Sequence, residues 1–143
     1  YKFLKKAKIS TKTKLASVLI RRTDQTEQRL RNVYELDIDR ESTLRIFEVT
    51  RYIKIIMDEE FLDETKEIFK GEIESVEQNL GEITINYRDD ITKTPGLFAA
   101  IANELAINRI SIVDSMICHW EHIVIVREQE LERVLTVILN LTR

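Results

Sequence analysis

The most regular pattern lies in the second half of the chain. Apolar and polar residues alternate strictly from Glu82 to Arg88, which predicts a strand with one buried face. A polar loop follows, and apolar residues then recur at helical spacing over Leu97–Asn108. Two β-like runs meet near Trp120, and an amphipathic helix is predicted over Glu128–Leu141. The order β-α-β-β-α predicts a ferredoxin-like α+β arrangement, with two helices on one face of an antiparallel sheet.

The first 36 residues predict helices instead. Ser10 can cap a helix in which Leu15, Val18 and Leu19 form an apolar stripe. After a short break, Thr23 or Asp24 can cap a second helix. Its opposite face carries the polar stripe Gln25, Gln28, Arg29 and Asn32. Such side chains pair with base edges, so these two helices are a helix-turn-helix candidate.

The segment between these halves allows two interpretations. As a wing, Asp37–Arg40 and Leu44–Val49 would form a hairpin, whereas as a helix the segment would begin at Ser42. From Arg51 onward, helical spacing is favoured, which predicts a linker helix over residues 51–71.

The secondary structure of residues 72–78 also allows more than one interpretation. A ferredoxin-like sheet needs a fourth strand beside the first to cover its edge. We expect residues 72–78 to turn back against the strand at 82–88 and fill that place. A helix over the same residues is the rival interpretation, and a partner protomer could also supply the fourth strand.

Charge divides the chain in the same way. The net charge is -3, but residues 1–54 carry +7 and residues 55–143 carry -10. A basic segment on an acidic body indicates a polyanionic partner for the basic part. Lys12, Lys14, Arg21 and Arg22 are the predicted phosphate contacts in a DNA complex.

Few residues in the sequence indicate a catalytic or metal-binding site. Cys118 is the only cysteine, which excludes an internal disulfide and fits a reducing, cytoplasmic location. Cys118, His119 and His122 lie close to one turn, but strand alternation points successive side chains to opposite faces. No apolar run is long enough for a membrane span. We therefore predict no metal, no cofactor, no membrane association and no enzymatic activity.

Two resemblances follow from these motifs. "KISTKTKLASVLIRRTDQTEQRLRNVYELDI" resembles the core of winged-helix transcription regulators, although Ile20 and Arg21 occupy the turn where that family has glycine and an aliphatic residue. The strand, polar loop, Pro95-Gly96, helix and "ISI" of residues 82–141 resemble an ACT domain, the amino-acid-sensing module, and look most like the regulatory domains of aspartate kinases.

The ACT resemblance implies a ligand site at the first strand–helix loop, often where two such domains meet side by side. Free N–H groups at the helix start suit a carboxylate, and Asp89 or Asp90 suits an ammonium group. The implied contacts are Asp89, Asp90, Thr92, Thr94, Pro95, Gly96, Leu97, Val113, Asp114 and Ser115.

The sequence therefore predicts an N-terminal winged helix-turn-helix-like module at 1–50, a linker helix at 51–71 and an ACT-like domain at 72–143. The predicted function is a ligand-responsive transcription regulator that binds DNA and an amino acid or related metabolite, as a homodimer or higher homo-oligomer. The alternative is a stand-alone regulatory subunit of an amino-acid biosynthetic enzyme.

Overall fold

The computed structural model describes residues 4–36 and 41–142 of the 143-residue chain. Six strands form one hydrogen-bonded sheet, in the order β2-β3-β1-β4-β6-β5. The strands are β1 (Lys8–Arg21), β2 (Leu44–Glu48), β3 (Tyr52–Asp58), β4 (Ile73–Asn86), β5 (Asp114–Cys118) and β6 (Glu121–Arg127). The helices are α1 (Asp24–Tyr34), α2 (Leu62–Ile68), α3 (Leu97–Ile107) and α4 (Leu131–Leu141). In these described ranges, no helix is both long and apolar enough to cross a membrane.

The chain divides into two compact units, and the first consists of residues 14–80. It has the order β-α-β-β-α-β, from the second half of β1 through α1, β2, β3 and α2 to the first half of β4. Its strands pair in the order β2-β3-β1-β4, with Leu15 opposite Asp58 and Arg21 opposite Tyr52. Its core includes Ala16, Val18, Ile20, Val33, Ile53, Ile55, Met57, Leu62 and Phe69.

The second unit is formed by residues 1–13 and 81–143. Its first strand is the end of β4, followed by α3, β5, β6 and α4, and its fourth strand is the start of β1. Its strands pair in the order β1-β4-β6-β5. If β4 is counted as the first strand of this unit and β1 as the fourth, this order is the same as that of the first unit read from the opposite edge. Its core includes Leu4, Ile83, Ile85, Tyr87, Leu97, Ile101, Leu105, Val124, Val126, Val134 and Ile138. Each unit is therefore ferredoxin-like, with two helices against four strands.

The two long strands each contain one residue in the left-handed region. Lys14 has φ 56° in β1 and Asn79 has φ 57° in β4. Both φ values lie outside the range of extended backbone, so each residue interrupts the regular geometry of its strand.

The predicted N-terminal helical module is wrong. The segment expected to be the first helix, from Ser10 to Ile20, is part of β1. Its four consecutive buried residues, 15–18, directly follow Lys14 and lie on both faces of the strand. The alternation of buried and exposed positions is therefore not visible, and the apolar residues imitate helical spacing. The second predicted helix is confirmed as α1, with Thr23 at its N-cap.

Residues 51–71, predicted as a linker helix, contain β3 and the short helix α2. The strand interpretation of Leu44–Val49 is confirmed by β2, which pairs with β3 from Leu44 opposite Met57. The other proposed wing strand, Asp37–Arg40, lies outside the described residues.

The expected hairpin at residues 72–78 is also wrong. β4 runs without interruption from Ile73 to Asn86, so residues 72–78 do not fold back on it. The start of β1, Lys8–Thr13, occupies the position beside the strand at 82–88 instead. A strand about seventy residues earlier in the chain cannot be located from local pattern, because pairing between distant segments leaves no periodic signal.

Candidate functional site

The loop between β4 and α3 is shaped by Asp90. Its carboxylate Oδ1 accepts hydrogen bonds from the Thr92 backbone N–H at 3.0 Å and from the Thr92 hydroxyl at 2.6 Å. These bonds cap a turn of 3-10 helix over Ile91–Lys93. The buried Ile91 side chain fixes the turn to the core of its unit.

The tip of the β5–β6 hairpin holds this loop in place. The Ile91 N–H donates to the His119 carbonyl at 2.6 Å, and the Tyr87 N–H donates to the Trp120 carbonyl at 2.7 Å. His119 Nδ1 lies 3.0 Å from Asp90 Oδ2. The hydrogen bond from the Thr92 hydroxyl and the contact with His119 lower the pKa of Asp90 to about 2.

Asp90 is thus a structural residue of the loop. Both of its carboxylate oxygens already have partners, so it has little capacity left for an ammonium group. Asp89 is exposed and precedes the turn. Of the two aspartates predicted as ammonium contacts, Asp89 is the exposed one.

The start of α3 offers backbone donors. Gly96 is its N-cap and adopts φ 82° and ψ -1°, a left-handed conformation that favours glycine. No side chain caps this end, so the N–H groups of the first turn have no side-chain acceptor. α1, the corresponding helix of the other unit, is closed by reciprocal bonds between Thr23 and Thr26.

A buried histidine links the start of β5 to the start of α3. His122 is 1% exposed, and its Nε2 lies 2.8 Å from the Ser115 hydroxyl. Its ring centroid is 5.8 Å from that of Phe98, the second residue of α3. Burial lowers the pKa of His122 to about 4, so the ring is neutral near pH 7. Its Nδ1 has no hydrogen-bond partner among the described residues.

The predicted ligand contacts fall into two groups. Asp90, Thr92 and Thr94 bond within the loop, and Thr94 Oγ1 is 3.5 Å from the Asp90 carbonyl oxygen. Val113, Asp114 and Ser115 lie at the start of β5, where the Val113 N–H donates to the Ile125 carbonyl. Pro95 and Leu97 flank Gly96, and the Leu97 side chain is buried in the core.

Sequence reasoning missed His119 and His122 as parts of this site. The motif "CHWEH" drew attention to both, but only as possible metal ligands. The hairpin register decides their roles, with Ile117 opposite His122 and Cys118 opposite Glu121. Each histidine contacts a polar side chain, and no cluster of three or more potential metal ligands exists within the described residues.

The predicted DNA contacts do not form a helix-turn-helix surface. Lys12, Lys14 and Arg21 lie on β1 rather than on a helix. Arg21 pairs with Glu74 at 3.6 Å, and the Arg22 Nε donates to Glu27 at 2.6 Å.

The remaining predicted contacts lie on α1. Gln25, Gln28 and Asn32 are exposed there, whereas the Arg29 guanidinium reaches the Ile68 carbonyl at 3.5 Å. Because a strand precedes α1, the two-helix geometry that presents such a stripe to a groove is missing.

Comparison with solved structures identifies the fold. The aspartate kinase of Clostridium acetobutylicum aligns with a TM-score of 0.78 at 15% identity, over 94% of this chain and 34% of that one. Regulatory subunits of aspartate kinase from Thermus thermophilus, in its ligand-free form, and Thermus flavus align with TM-scores of 0.72 and 0.74 at 14% and 15% identity. Each of these alignments covers 92% of this chain and 95% of the subunit.

No protein-family model matches the sequence, and no curated protein does either. The chain spans about a third of the Clostridium kinase but nearly the whole of each Thermus regulatory subunit. The structural likeness confirms the ACT-like fold predicted from Pro95-Gly96 and the flanking elements, and it gives no support to the winged-helix resemblance. The chain has the fold of the aspartate kinase regulatory subunits.

Proposed function

We propose that this chain is a non-catalytic regulatory module that binds an amino acid or a similar small metabolite and controls an amino-acid biosynthetic enzyme. The observation that carries the proposal is the uncapped N-terminus of α3 behind Pro95 and Gly96. The alignment with two aspartate kinase regulatory subunits over 95% of their length supports the regulatory role.

The chemistry of α3 suits a carboxylate. Backbone N–H groups and the positive end of the helix dipole attract an anion, and Gly96 has no Cβ to obstruct its approach. A Cβ built on Gly96 has no atom within 4 Å, so the space around that carbon is open. Asp89, exposed at the other side of the turn, can pair with an α-ammonium group.

The two units differ in their suitability for a ligand. In residues 14–80, the helix that follows the first strand is α1, where the Thr23 hydroxyl caps the N-terminus by accepting from the Thr26 N–H. In the other unit, no side chain caps the N-terminus of α3. We therefore place one effector site per chain, at the loop of residues 89–96.

A second copy of the chain is part of the proposal. β5 is an edge strand of the sheet, and an unpaired edge is a template for another strand. Ile117 on β5 is 42% exposed, and Trp120 beside it is 55% exposed. These apolar groups at an open edge favour a homodimer through β5.

A binding screen tests the effector site. We expect one of the common amino acids to raise the melting temperature of the wild type and to bind in isothermal titration calorimetry. Gly96→Ala should weaken that binding about tenfold or more, because the strained residue displaces the donors of α3 by fractions of an ångström. Asp89→Asn should weaken it as well, through loss of the charge.

Gly71→Ala is the matched control. Gly71 has φ 91°, and a Cβ there also meets nothing within 4 Å, so the substitution introduces the same backbone strain away from the loop. Its affinity should remain within about twofold of the wild type. The proposal fails if no amino acid binds the wild type, or if Gly71→Ala weakens binding as much as Gly96→Ala.

A further inference from the structure

A groove lies at the end of the sheet where β1 begins and β4 ends. It has a volume of about 300 Å³ and is lined by Lys6, Lys8, Asn86, Tyr87 and Arg88. β1 starts at Lys8 and β4 finishes at Asn86, so neighbouring strands bring these residues together. The groove shares no residue with the proposed amino-acid contacts.

The charge of this groove is unbalanced. Three of its five lining residues are cationic, and none is a carboxylate. Within residues 4–36 and 41–142, Lys6, Lys8 and Arg88 form no ion pair or side-chain hydrogen bond. In a chain with a net charge of -3, an uncompensated cluster of three cations creates a local potential that attracts anions.

The side chains define the kind of anion. A guanidinium donates in a planar fork that matches two oxygens of a phosphate, and each lysine adds a point charge with three donors. The Asn86 amide adds a neutral donor. A compact group with two or three negative charges can engage all three cations at once. A single carboxylate, with one negative charge, cannot balance all three.

The floor of the groove also suits a small molecule. Tyr87 lines the groove and is 6% exposed, and most of the surface exposed in the groove is apolar. A volume of about 300 Å³ is larger than a diphosphate needs, so it leaves room for the organic part of the ligand.

We propose that this groove binds the di- or triphosphate group of a small phosphorylated metabolite, as a second ligand site of the chain. A nucleic acid backbone is disfavoured, because a polymer needs a long row of cations, whereas this groove of about 300 Å³ holds three.

Calorimetric titration with inorganic tripolyphosphate tests the site on the whole chain. We expect one anion per chain at about 0.1 M salt and strongly weakened binding at about 1 M salt, where the Debye length falls from about 10 Å to about 3 Å. The double variant Lys8→Ala/Arg88→Ala should lose about tenfold or more in affinity. Arg88→Lys, which keeps the charge but loses the fork, should show a smaller loss.

Lys66→Ala/Lys70→Ala removes the same number of charges from two exposed positions in and just after α2, and should bind within about twofold of the wild type. Unfolding midpoints of all variants establish that they are folded, and Arg88→Gln replaces the double variant if that one is not. Absence of tripolyphosphate binding at low salt, equal weakening in both double variants, or tighter binding of random duplex DNA would overturn the proposal. The amino-acid screen is read separately, so either site can fail alone.

Discussion

Replacing Phe69 by alanine is expected to lower the free energy of unfolding by about 3–5 kcal/mol. Phe69 is fully buried at the end of α2, in the core formed with Val33 of α1 and Ile53 of β3. Truncation removes the transfer free energy of an aromatic ring and leaves a cavity that the packed strands cannot fill. The loss is a large part of the roughly 5–15 kcal/mol that stabilises an ordinary domain. Urea unfolding at neutral pH measures it.

Tyr34→Ala is the matched substitution. Tyr34 is also aromatic and lies at the end of α1, but it is 67% exposed, so its loss should change stability by no more than about 0.5 kcal/mol. If residues 51–71 were a solvent-exposed linker helix, the two variants would unfold at similar urea concentrations. Equal midpoints for Phe69→Ala and Tyr34→Ala would therefore contradict the core assigned to residues 14–80.

The elements from β4 to α4 could be predicted because their patterns are local and undisturbed. Ile83, Ile85 and Tyr87 all face one core, so the alternation of the strand is visible in the sequence. The helix α4, predicted as amphipathic, buries Leu131, Val134 and Ile138 at helical spacing, and Leu135 packs at the margin of the same core. Such periodicities depend only on the side to which each residue points.

The first half could not be predicted in the same way. Lys14, with its positive φ, interrupts the regular geometry of β1, and burial on both faces afterwards leaves no alternation of buried and exposed residues that would reveal a strand. The greater obstacle is connectivity. Along the sequence, residues 14–80 form a complete unit that separates the two segments of the other unit. Residues 1–13 supply the fourth strand of that other unit, and residues 81–143 supply the rest of it. Pairing of β1 with β4 is a long-range contact, for which one sequence contains no signal.

The candidate site was partly predictable. The only proline in the chain, next to one of its three glycines, marks the entry to α3, and the structure places Gly96 in the left-handed conformation there. The contacts that shape the surrounding loop were not predictable. Asp90 meets His119 across 29 positions of sequence, and Ser115 meets His122 through the hairpin register.

His122 is expected to make the protein less stable as the pH falls from about 6.5 to about 4. The unfolded histidine has a pKa near 6.5, whereas burial lowers the folded pKa to about 4, so the unfolded state binds the proton first. The contribution is complete above pH 6.5 and is lost as the pH falls toward 4. A separation of about 2.5 units corresponds to a loss of about 3 kcal/mol between pH 7 and pH 4.

The packing around His122 explains why it stays neutral. The Ser115 hydroxyl and the Phe98 ring contact it, and neither carries a charge that would stabilise an imidazolium. Protonation would also leave a charged Nδ1–H without an acceptor among the described residues. Urea unfolding of the wild type and of His122→Gln, at pH 7 and at pH 4, measures the effect as the difference between the two proteins.

The comparison with His122→Gln isolates this group from the carboxylates. Protonation of Asp90 lowers the stability of the wild type and of His122→Gln alike. The folded pKa of Asp90 is lowered to about 2, so its contribution to stability is lost as the pH falls from about 3.8 toward 2. His119→Gln is the matched control, since the His119 side chain is 57% exposed. It should retain the acid sensitivity of the wild type. If His122→Gln loses as much stability as the wild type between pH 7 and pH 4, the buried neutral histidine is not the source of that sensitivity.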